Sequence, residues 1–280
     1  MARPVCSRWW SGRGQLLLAV GLLGGLALVA GFPQLFSSAD PAECDLAQSL
    51  DAPSAHHLFG YDLQGCDYLA ITLHGARTSL GIAVVVLVGT TLIALVVGAA
   101  AGFLGGLTDV LLSRITDVWS GIPLVLGGVI VLSSTEARGP LQVALVLTLF
   151  GWPAMMRVLR ASVLAVRERE YVVAARALGA GPGRVLLRHV LPNSLRPLVV
   201  FASAYAGVVI AAEATLTFAG VGLSRPAQSW GIQLYESGAR LRSAPHLLVF
   251  PAAFLVAAVV GFVLLGEALR PRNVRTRSGA

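Results

Sequence analysis

Residues that could carry out chemistry are few in this chain. All 21 basic side chains are arginine, and lysine is absent. A Walker A phosphate loop uses a lysine to reach the terminal phosphates, and Schiff-base catalysis uses a lysine amine, so both are excluded. The sequence also lacks the H-E-x-x-H, G-x-S-x-G and C-x-x-C patterns of zinc hydrolases, serine hydrolases and thiol oxidoreductases. We therefore predict neither a catalytic site nor a bound cofactor.

Ionisable side chains inside apolar stretches often mark ion pathways in membrane proteins. Here Asp117 and Glu213 lie near opposite ends of their stretches, and no charge lies in the middle of one. This placement argues against a carrier driven by protons or sodium ions. We expect Glu213 to face the protein interior or an aqueous vestibule, as a structural partner of Arg77 or Arg225 rather than a substrate contact.

The cysteine and histidine residues leave alternatives open. Cys44 and Cys66 lie in the same acidic segment and form either a disulfide or two free thiols, whereas Cys6 lies apart near the N-terminus. His56 and His57 are adjacent in that segment, where solvation is the simpler explanation and metal binding the alternative.

The elements that position these residues are membrane helices. The chain is 56% hydrophobic and 12% charged, with a mean hydropathy of +0.76, which is unlike a soluble domain. Six long uncharged windows predict six transmembrane helices in an all-α membrane protein. The windows are 14–39, 78–108, 118–135, 139–156, 197–212 and 243–266. Pro123, Pro153 and Pro251 fall within spans, and kinks or irregular turns are expected there.

Arginine placement predicts the orientation of the spans. With both termini in the cytoplasm, sixteen of the 21 arginines lie inside, as the positive-inside rule requires. Residues 1–15 are then a cytoplasmic segment, 16–32 the first helix, 33–76 extracytoplasmic and 270–280 a cytoplasmic tail. The first helix is expected to be an uncleaved anchor rather than a signal peptide. Nucleic-acid binding is not expected, because membrane-length apolar blocks separate the basic residues.

Residues 157–196 form the longest predicted cytoplasmic loop and carry eight arginines. Residues 171–178 favour a short helix, glycines and a proline at 179–183 break it, and 184–190 begin a second helix that Leu191 and Pro192 end. Such a projecting knob indicates a partner protein, and the alternative is an amphipathic segment on the lipid surface. A separate stripe of small residues, Ala94, Gly98, Gly102 and Gly106, permits close helix packing or reflects ordinary glycine richness.

The loop resembles the EAA loop of permeases from ABC importers. Val173-Ala174-Ala175-Arg176-Ala177-Leu178-Gly179, nine residues, then His189-Val190-Leu191-Pro192 has the spacing of that signature. Val173 stands where the family usually has glutamate, and His189 where isoleucine is common. The resemblance implies that Ala174, Ala175, Arg176, Gly179, Leu191 and Pro192 belong to a loop that couples to an ATPase subunit.

Five further stretches are similar to the C-type permease subunits of dipeptide and oligopeptide importers. They begin at His57, Gly75, Glu213 and Leu265, with Ser229-Trp230-Gly231 between the last two. Cys66 replaces an arginine of the family pattern, and Glu267 replaces an aspartate. The matching positions are Gly60, Asp62, Gly65, Asp67, Gly75, Arg77, Ser79, Glu213, Phe218, Gly220, Gly222, Trp230, Gly231, Gly266 and Arg270.

The resemblance implies a MetI-like permease fold over residues 77–269, in the inner membrane of a bacterium. Its expected partners are a second, homologous permease, two cytoplasmic ABC ATPases, an extracytoplasmic substrate-binding protein and the lipid bilayer. ATP hydrolysis would then belong to the partner subunits, and this chain would be non-catalytic. Peptides are the expected substrates, and nickel or another small solute is the alternative. An ion-driven carrier would continue uptake without ATP, and a membrane scaffold would transport nothing.

Overall fold

The computed structural model describes residues 12–135 and 138–270, and these residues form nine α-helices and no β-strand. Cys6, most of the predicted N-terminal segment and the predicted tail after Arg270 lie outside the described residues. The helices are α1 (Gly12–Gly31), α2 (Tyr68–Leu104), α3 (Gly106–Ser120), α4 (Leu124–Ser133), α5 (Pro140–Arg167), α6 (Glu170–Ala177), α7 (Pro182–Phe218), α8 (Trp230–Ser237) and α9 (His246–Leu269).

Five helices are long and apolar enough to cross a membrane, namely α1, α2, α5, α7 and α9. Helices α3 and α4 pass the same test together, although their axes are bent by 71° at the break between them. Counting this pair as one span gives the six predicted helices and confirms the all-α membrane fold. We call the end of the bundle that carries residues 32–67 and 219–245 the outer end, after the predicted orientation, and the end that carries 168–181 the inner end.

The third span differs from its prediction in shape. The uncharged window 118–135 predicted one helix, whereas the structure has two, which meet at Gly121–Pro123. Pro123 has no N–H to donate, and the residue before a proline is disfavoured in helical conformations, so the chain bends there. By contrast, α5 and α9 continue through Pro153 and Pro251.

The segment 157–196 is also less of a loop than predicted. Helix α5 continues to Arg167 and α7 begins at Pro182, so only residues 168–181 connect them. The prediction that Leu191 and Pro192 end a helix is wrong. A π-turn at Leu186–Val190 directly precedes Pro192, and such a wider turn accommodates the proline ring that an α-helical turn would not. The side chains of Asn193 and Ser194 also bond carbonyls of this turn, at 2.7 and 2.8 Å.

Arginines within α5 are held by acidic partners on α3. Arg160 Nη2 lies 2.7 Å from Asp109 Oδ2, and Arg157 Nη2 lies 3.3 Å from Asp117 Oδ1. Pairing with a carboxylate lowers the cost of an arginine on a membrane helix. Helix α5 therefore continues to Arg167, past Arg157 and Arg160, whose charges ended the uncharged window 139–156 in the sequence.

The bundle is built around α7, which packs against α2, α4, α5, α8 and α9. Small residues bring α2 close to α5: a Cβ on Gly98 would lie 2.9 Å from Met156 O, and one on Gly102 would lie 2.9 Å from Val163 Cβ. This stripe of small residues is therefore a contact within the chain. Gly106, which the sequence grouped with them, begins α3 and approaches no neighbour within 4 Å.

Candidate coupling helix and outer polar cluster

Helix α6 ends in a tight glycine cap. Gly179 N–H donates to Arg176 O at 2.9 Å, and Ala180 N–H donates to Ala175 O at 3.1 Å. Gly179 has a φ of +83°, so these bonds form a Schellman motif with glycine in the left-handed position. The predicted helix break at Gly179 is thus present. The helix ends at Ala177, one residue before its predicted end at Leu178.

The two sides of α6 have different environments. Val172 is fully buried against the bundle, whereas Val173 is 53% exposed and Leu178 is 89% exposed. The Arg176 guanidinium carbon lies 5.6 Å from the ring centre of Phe103, at the inner end of α2, within cation–π range. Helix α6 therefore contacts α2 through Arg176 on one side and presents apolar side chains to solvent on the other.

An open polar groove of about 740 Å³ runs beside α6 at the inner end of the bundle. Glu168, Arg169, Glu170 and Tyr171 line it from the α6 side, and Asn193 lines it from α7. Of the predicted coupling residues, Ala174, Ala175 and Arg176 lie on α6. Leu191 and Pro192 lie inside α7 and shape its π-turn instead of ending a helix.

A second group of predicted residues meets in a buried polar cluster at the outer end, formed by α2, α7 and α8. Glu213 is fully buried. Ser79 Oγ donates to Glu213 Oε2 at 3.2 Å, and Thr217 Oγ1 donates to Glu213 Oε1 at 3.0 Å. The prediction that Glu213 faces the interior is therefore correct.

The predicted ion-pair partners of Glu213 are wrong. Arg77 points away on the exposed side of α2, and Arg225 pairs with Glu236 at 2.7 Å and with Asp62 at 3.4 Å. Hydrogen bonds to Glu236 raise the pKa of the Arg225 guanidinium. Hydroxyl groups, which donate to a carboxylate without adding a second buried charge, take the place of an arginine beside Glu213.

Glycines let α8 approach this cluster. A Cβ on Gly231 would lie 2.8 Å from Thr217 Cβ, and one on Gly222 would lie 2.4 Å from Thr217 Oγ1. Gly75 faces Trp230 and Gln233 in the same way. Trp230 is fully buried, and its indole N–H donates to Thr72 O at 3.2 Å.

The loop before α2 contains the remaining outer motif. Asp67 caps α2 by accepting from Ala70 N–H at 2.8 Å, and His57 Nδ1 lies 2.8 Å from the other Asp67 oxygen. Asp62 is buried and accepts from Cys66 N–H at 2.8 Å. Gly60 and Gly65 have φ values of +69° and +73°. His57 is thus held by a carboxylate, and no group of three or more potential metal ligands occurs within residues 12–135 and 138–270.

Cys44 and Cys66 form a disulfide that joins the two ends of this loop. It resolves the alternative that the sequence left open. Cys66 is 1% exposed and lies against the loop interior, whereas Cys44 is exposed at the surface.

The other motif residues lie apart from the cluster. Phe218 is 52% exposed at the end of α7, and Gly220 has a φ of +78° in the turn that follows. A Cβ on Gly266 would lie 3.1 Å from Ala204 Cβ, so this glycine brings α9 close to α7. Arg270 pairs with Glu267 at 3.0 Å.

Several residues of the outer cluster were not predicted from the sequence. Gln233 donates to Ile71 O at 3.0 Å, and its other amide atom lies 3.2 Å from Thr72 Oγ1. Thr217 carries two bonds, one to Glu213 and one from Leu223 N–H at 3.2 Å. For Thr217 the available signal was its position one helical turn from Glu213, because neighbours at that spacing share a helix face.

Comparison with known proteins assigns the chain to a family. Residues 94–275 match the family described as the binding-protein-dependent transport system inner membrane component. The dipeptide transport system permease protein of Alkalihalophilus pseudofirmus is 35% identical over 258 residues, which cover 91% of this chain and 84% of the relative. The oligopeptide transport system permease protein of Bacillus subtilis is 34% identical over 245 residues, 88% of this chain and 80% of the relative.

A third relative, the glutathione transport system permease protein of Pectobacterium atrosepticum, is 34% identical over 225 residues. These residues cover 79% of this chain and 73% of the relative. The family match covers more than half of the chain and includes α6 and the glycine-lined contacts of α7 and α8. The chain therefore belongs to the family of inner membrane components of binding-protein-dependent transport systems.

Proposed function

We propose that this chain is the permease subunit of an ABC importer for peptides. It forms half of the translocation pathway together with a second, homologous permease, and it is not itself an enzyme. Two cytoplasmic ATPase subunits drive it, and an extracytoplasmic binding protein delivers the substrate. The family assignment supports the transport role, and the named functions of the dipeptide, oligopeptide and glutathione relatives support a peptide substrate.

Helix α6 is the observation that carries this proposal. It is a short helix that projects from the inner end and exposes Val173 and Leu178. A soluble partner would bury these side chains, at a gain of about 25 cal/mol for each Å² of apolar surface removed from water. The nearby groove adds carboxylates and an arginine for polar contacts. We infer that α6 is where an ATPase subunit docks.

The supports of α6 explain how movement of a docked ATPase would reach the membrane helices. Val172 anchors α6 in the core, Arg176 contacts Phe103 of α2, and the connections to α5 and α7 are only a few residues long. A displacement of α6 is thus passed to three membrane helices. The absence of lysine, and so of a Walker A loop, agrees with ATP binding in separate subunits.

The experiment uses Gly179→Val. A Cβ at Gly179 would meet no atom within 4 Å, so the substitution acts through its left-handed backbone, at a cost of about 1–2 kcal/mol for a β-branched residue. We expect the six spans to insert normally while α6 is re-aimed. Peptide uptake, co-purification of the ATPase subunits, or both should fall at matched expression.

Gly181→Val is the matched control. Gly181 lies in the same connection and also has open space at its Cβ, but its φ of −63° suits any residue. It adds the same side chain without backbone strain and should keep uptake and ATPase binding near wild type. Equal, undiminished activity of both variants would show that α6 is not the coupling element.

A further inference from the structure

A groove of about 410 Å³ lies between α1, α2 and α9 near the outer end. Leu26 and Ala30 of α1, Gly81 and Val84 of α2, and Phe262 of α9 form apolar walls. One charged side chain, Arg77, lines the same groove. The groove therefore combines a hydrocarbon-like surface with a single cation.

Arg77 has no counter-ion in the part of the chain that the structure describes. No carboxylate lies within 4.0 Å of its guanidinium group there, and no hydrogen-bond acceptor is assigned to it. Arg157 and Arg160 of α5, by contrast, each pair with an aspartate of α3. An arginine at the edge of the hydrocarbon region normally finds an anionic or water-rich partner, and the described residues 12–135 and 138–270 do not supply one for Arg77.

The depth of Arg77 matches the level of lipid phosphates. Helix α1 has 20 residues, which span roughly 30 Å and thus the hydrocarbon thickness. Gly31, its last residue, lines the groove together with Arg77. The turn Pro33–Leu35 contacts both α1 and α2, and Gln34 of this turn lines a groove with His74 of α2, so the outer end of α1 lies level with the His74–Arg77 turn of α2. Arg77 is therefore near the membrane–water boundary, and Val84 and Leu23 lie deeper.

A second groove, of about 330 Å³, is lined by His74 of α2 and by the polar or acidic side chains of Gln34, Ser37, Ser38 and Asp40. His74 lies one helical turn from Arg77 on the outer side, so the polar groove adjoins the apolar one along α2. The order along α2 is thus polar side chains, a cation and an apolar trough. A phospholipid has the same order of headgroup, phosphate and acyl chain.

We propose that a membrane phospholipid occupies this groove as a bound component of the subunit. Its phosphate pairs with Arg77, its headgroup lies beside His74 and Gln34, and one acyl chain fills the trough over Gly81 and Val84. The lipid links α1 to α2 and α9. Guanidinium and phosphate groups form strong paired hydrogen bonds, which accounts for an arginine at this position.

The test measures phospholipid retained by the intact transporter. The full complex is purified in detergent, stripped of loose lipid, incubated with palmitoyl-oleoyl phosphatidylglycerol and washed, and the bound lipid is quantified by mass spectrometry. Arg77→Gln removes the cation. Gly81→Leu places a branched side chain in the trough, at a position where a Cβ meets no atom within 4 Å. Arg242→Gln, at an exposed outer arginine, is the control.

We expect wild type and Arg242→Gln to retain the lipid. Arg77→Gln should retain about fivefold less, the change that corresponds to roughly 1 kcal/mol for one basic residue at a membrane surface. Gly81→Leu should lose it as well, although it keeps the charge. Retention of lipid by either variant at the wild-type level would overturn the proposal. Loss in Arg77→Gln alone would mean that the acyl chain does not lie in the trough, and absence of lipid from wild type would indicate that a protein partner covers the groove.

Discussion

Glu213 is a buried carboxylate that orders two hydroxyl groups. Ser79 and Thr217 each donate to it and each also accept from a backbone N–H, Ser79 from Trp230 at 3.4 Å and Thr217 from Leu223 at 3.2 Å. Because a hydroxyl has one proton, donating it to Glu213 leaves its oxygen free to accept. Glu213 thus fixes how α8 and the turn after α7 attach to the bundle.

The prediction for this residue compares Glu213→Ala with Glu213→Gln. Alanine leaves two buried hydroxyls without an acceptor, at about 1–3 kcal/mol for each unsatisfied group, and should strongly lower the thermal stability of the purified complex. Glutamine keeps one acceptor oxygen, so its loss should be smaller, and substrate preference should not change. The measurements are thermal unfolding and uptake with a panel of peptides.

Thr215→Ala is the control for these variants, since Thr215 lies on the exposed side of the same helix and bonds only Ala211 O. It should unfold at the wild-type temperature. A Glu213→Gln transporter that assembles normally but takes up different substrates would contradict the structural role.

At the scale of elements, the number of spans and the short helix α6 could be predicted from the sequence, and several helix ends could not. Charge marks where an isolated helix should leave the membrane, but the pairs Arg160–Asp109 and Arg157–Asp117 remove that signal. The continuation of α7 through Pro192 depends on a π-turn, which is a hydrogen-bonding pattern rather than a residue pattern.

The candidate site was predictable as a set of residues but not as an arrangement. The family-like spacing identified Gly75, Ser79, Glu213 and Gly231, which the structure brings together. It gave no reason to choose hydroxyls over arginines as partners of Glu213, because contacts between distant helices depend on the fold. Glycines whose Cβ would clash, such as Gly222, became explicable only once Thr217 was seen beside them.

The element-scale prediction concerns the disulfide-closed loop before α2. The bridge joins residues 22 positions apart. In the chain-entropy account, a bridge that closes a loop of this size lowers the entropy of the unfolded loop and stabilises the folded loop by about 3 kcal/mol. Cys66→Ser should therefore make residues 45–65 more susceptible to added protease, while the membrane helices stay folded. Because Cys66 is almost fully buried, the variant is a cleaner test than a reducing agent.

Cys6→Ser is the control for this experiment, because Cys6 lies outside the loop in the sequence. Its cleavage pattern should equal that of wild type. If Cys66→Ser were as resistant to protease as wild type, hydrogen bonds such as Asp62 with Cys66 N–H would be sufficient to close the loop.

At the scale of the whole molecule, α5 and α7 are longer than a membrane requires. Helix α7 has 37 residues and α5 has 28, or roughly 55 and 40 Å at 1.5 Å per residue, against a hydrocarbon core of about 30 Å. The surplus of both helices converges on α6, and the inner half of α7 carries Arg184, Arg188 and Arg196. By the positive-inside rule, we expect an arginine-rich extension of this kind to lie on the cytoplasmic side.

The last prediction tests this orientation by cysteine labelling in intact cells, with Cys6→Ser as the background. Ala55→Cys lies on the exposed outer loop, and Leu178→Cys lies beside α6 where the native side chain is 89% exposed. Ser162, which lies in the predicted cytoplasmic segment 157–196, would be a poor labelling position, because its hydroxyl donates to Ser194 O between α5 and α7. A membrane-impermeant maleimide should label Ala55→Cys in intact cells and Leu178→Cys only after the membrane is opened. The reverse order would place sixteen arginines on the translocated side and would exclude a cytoplasmic ATPase as the partner of α6.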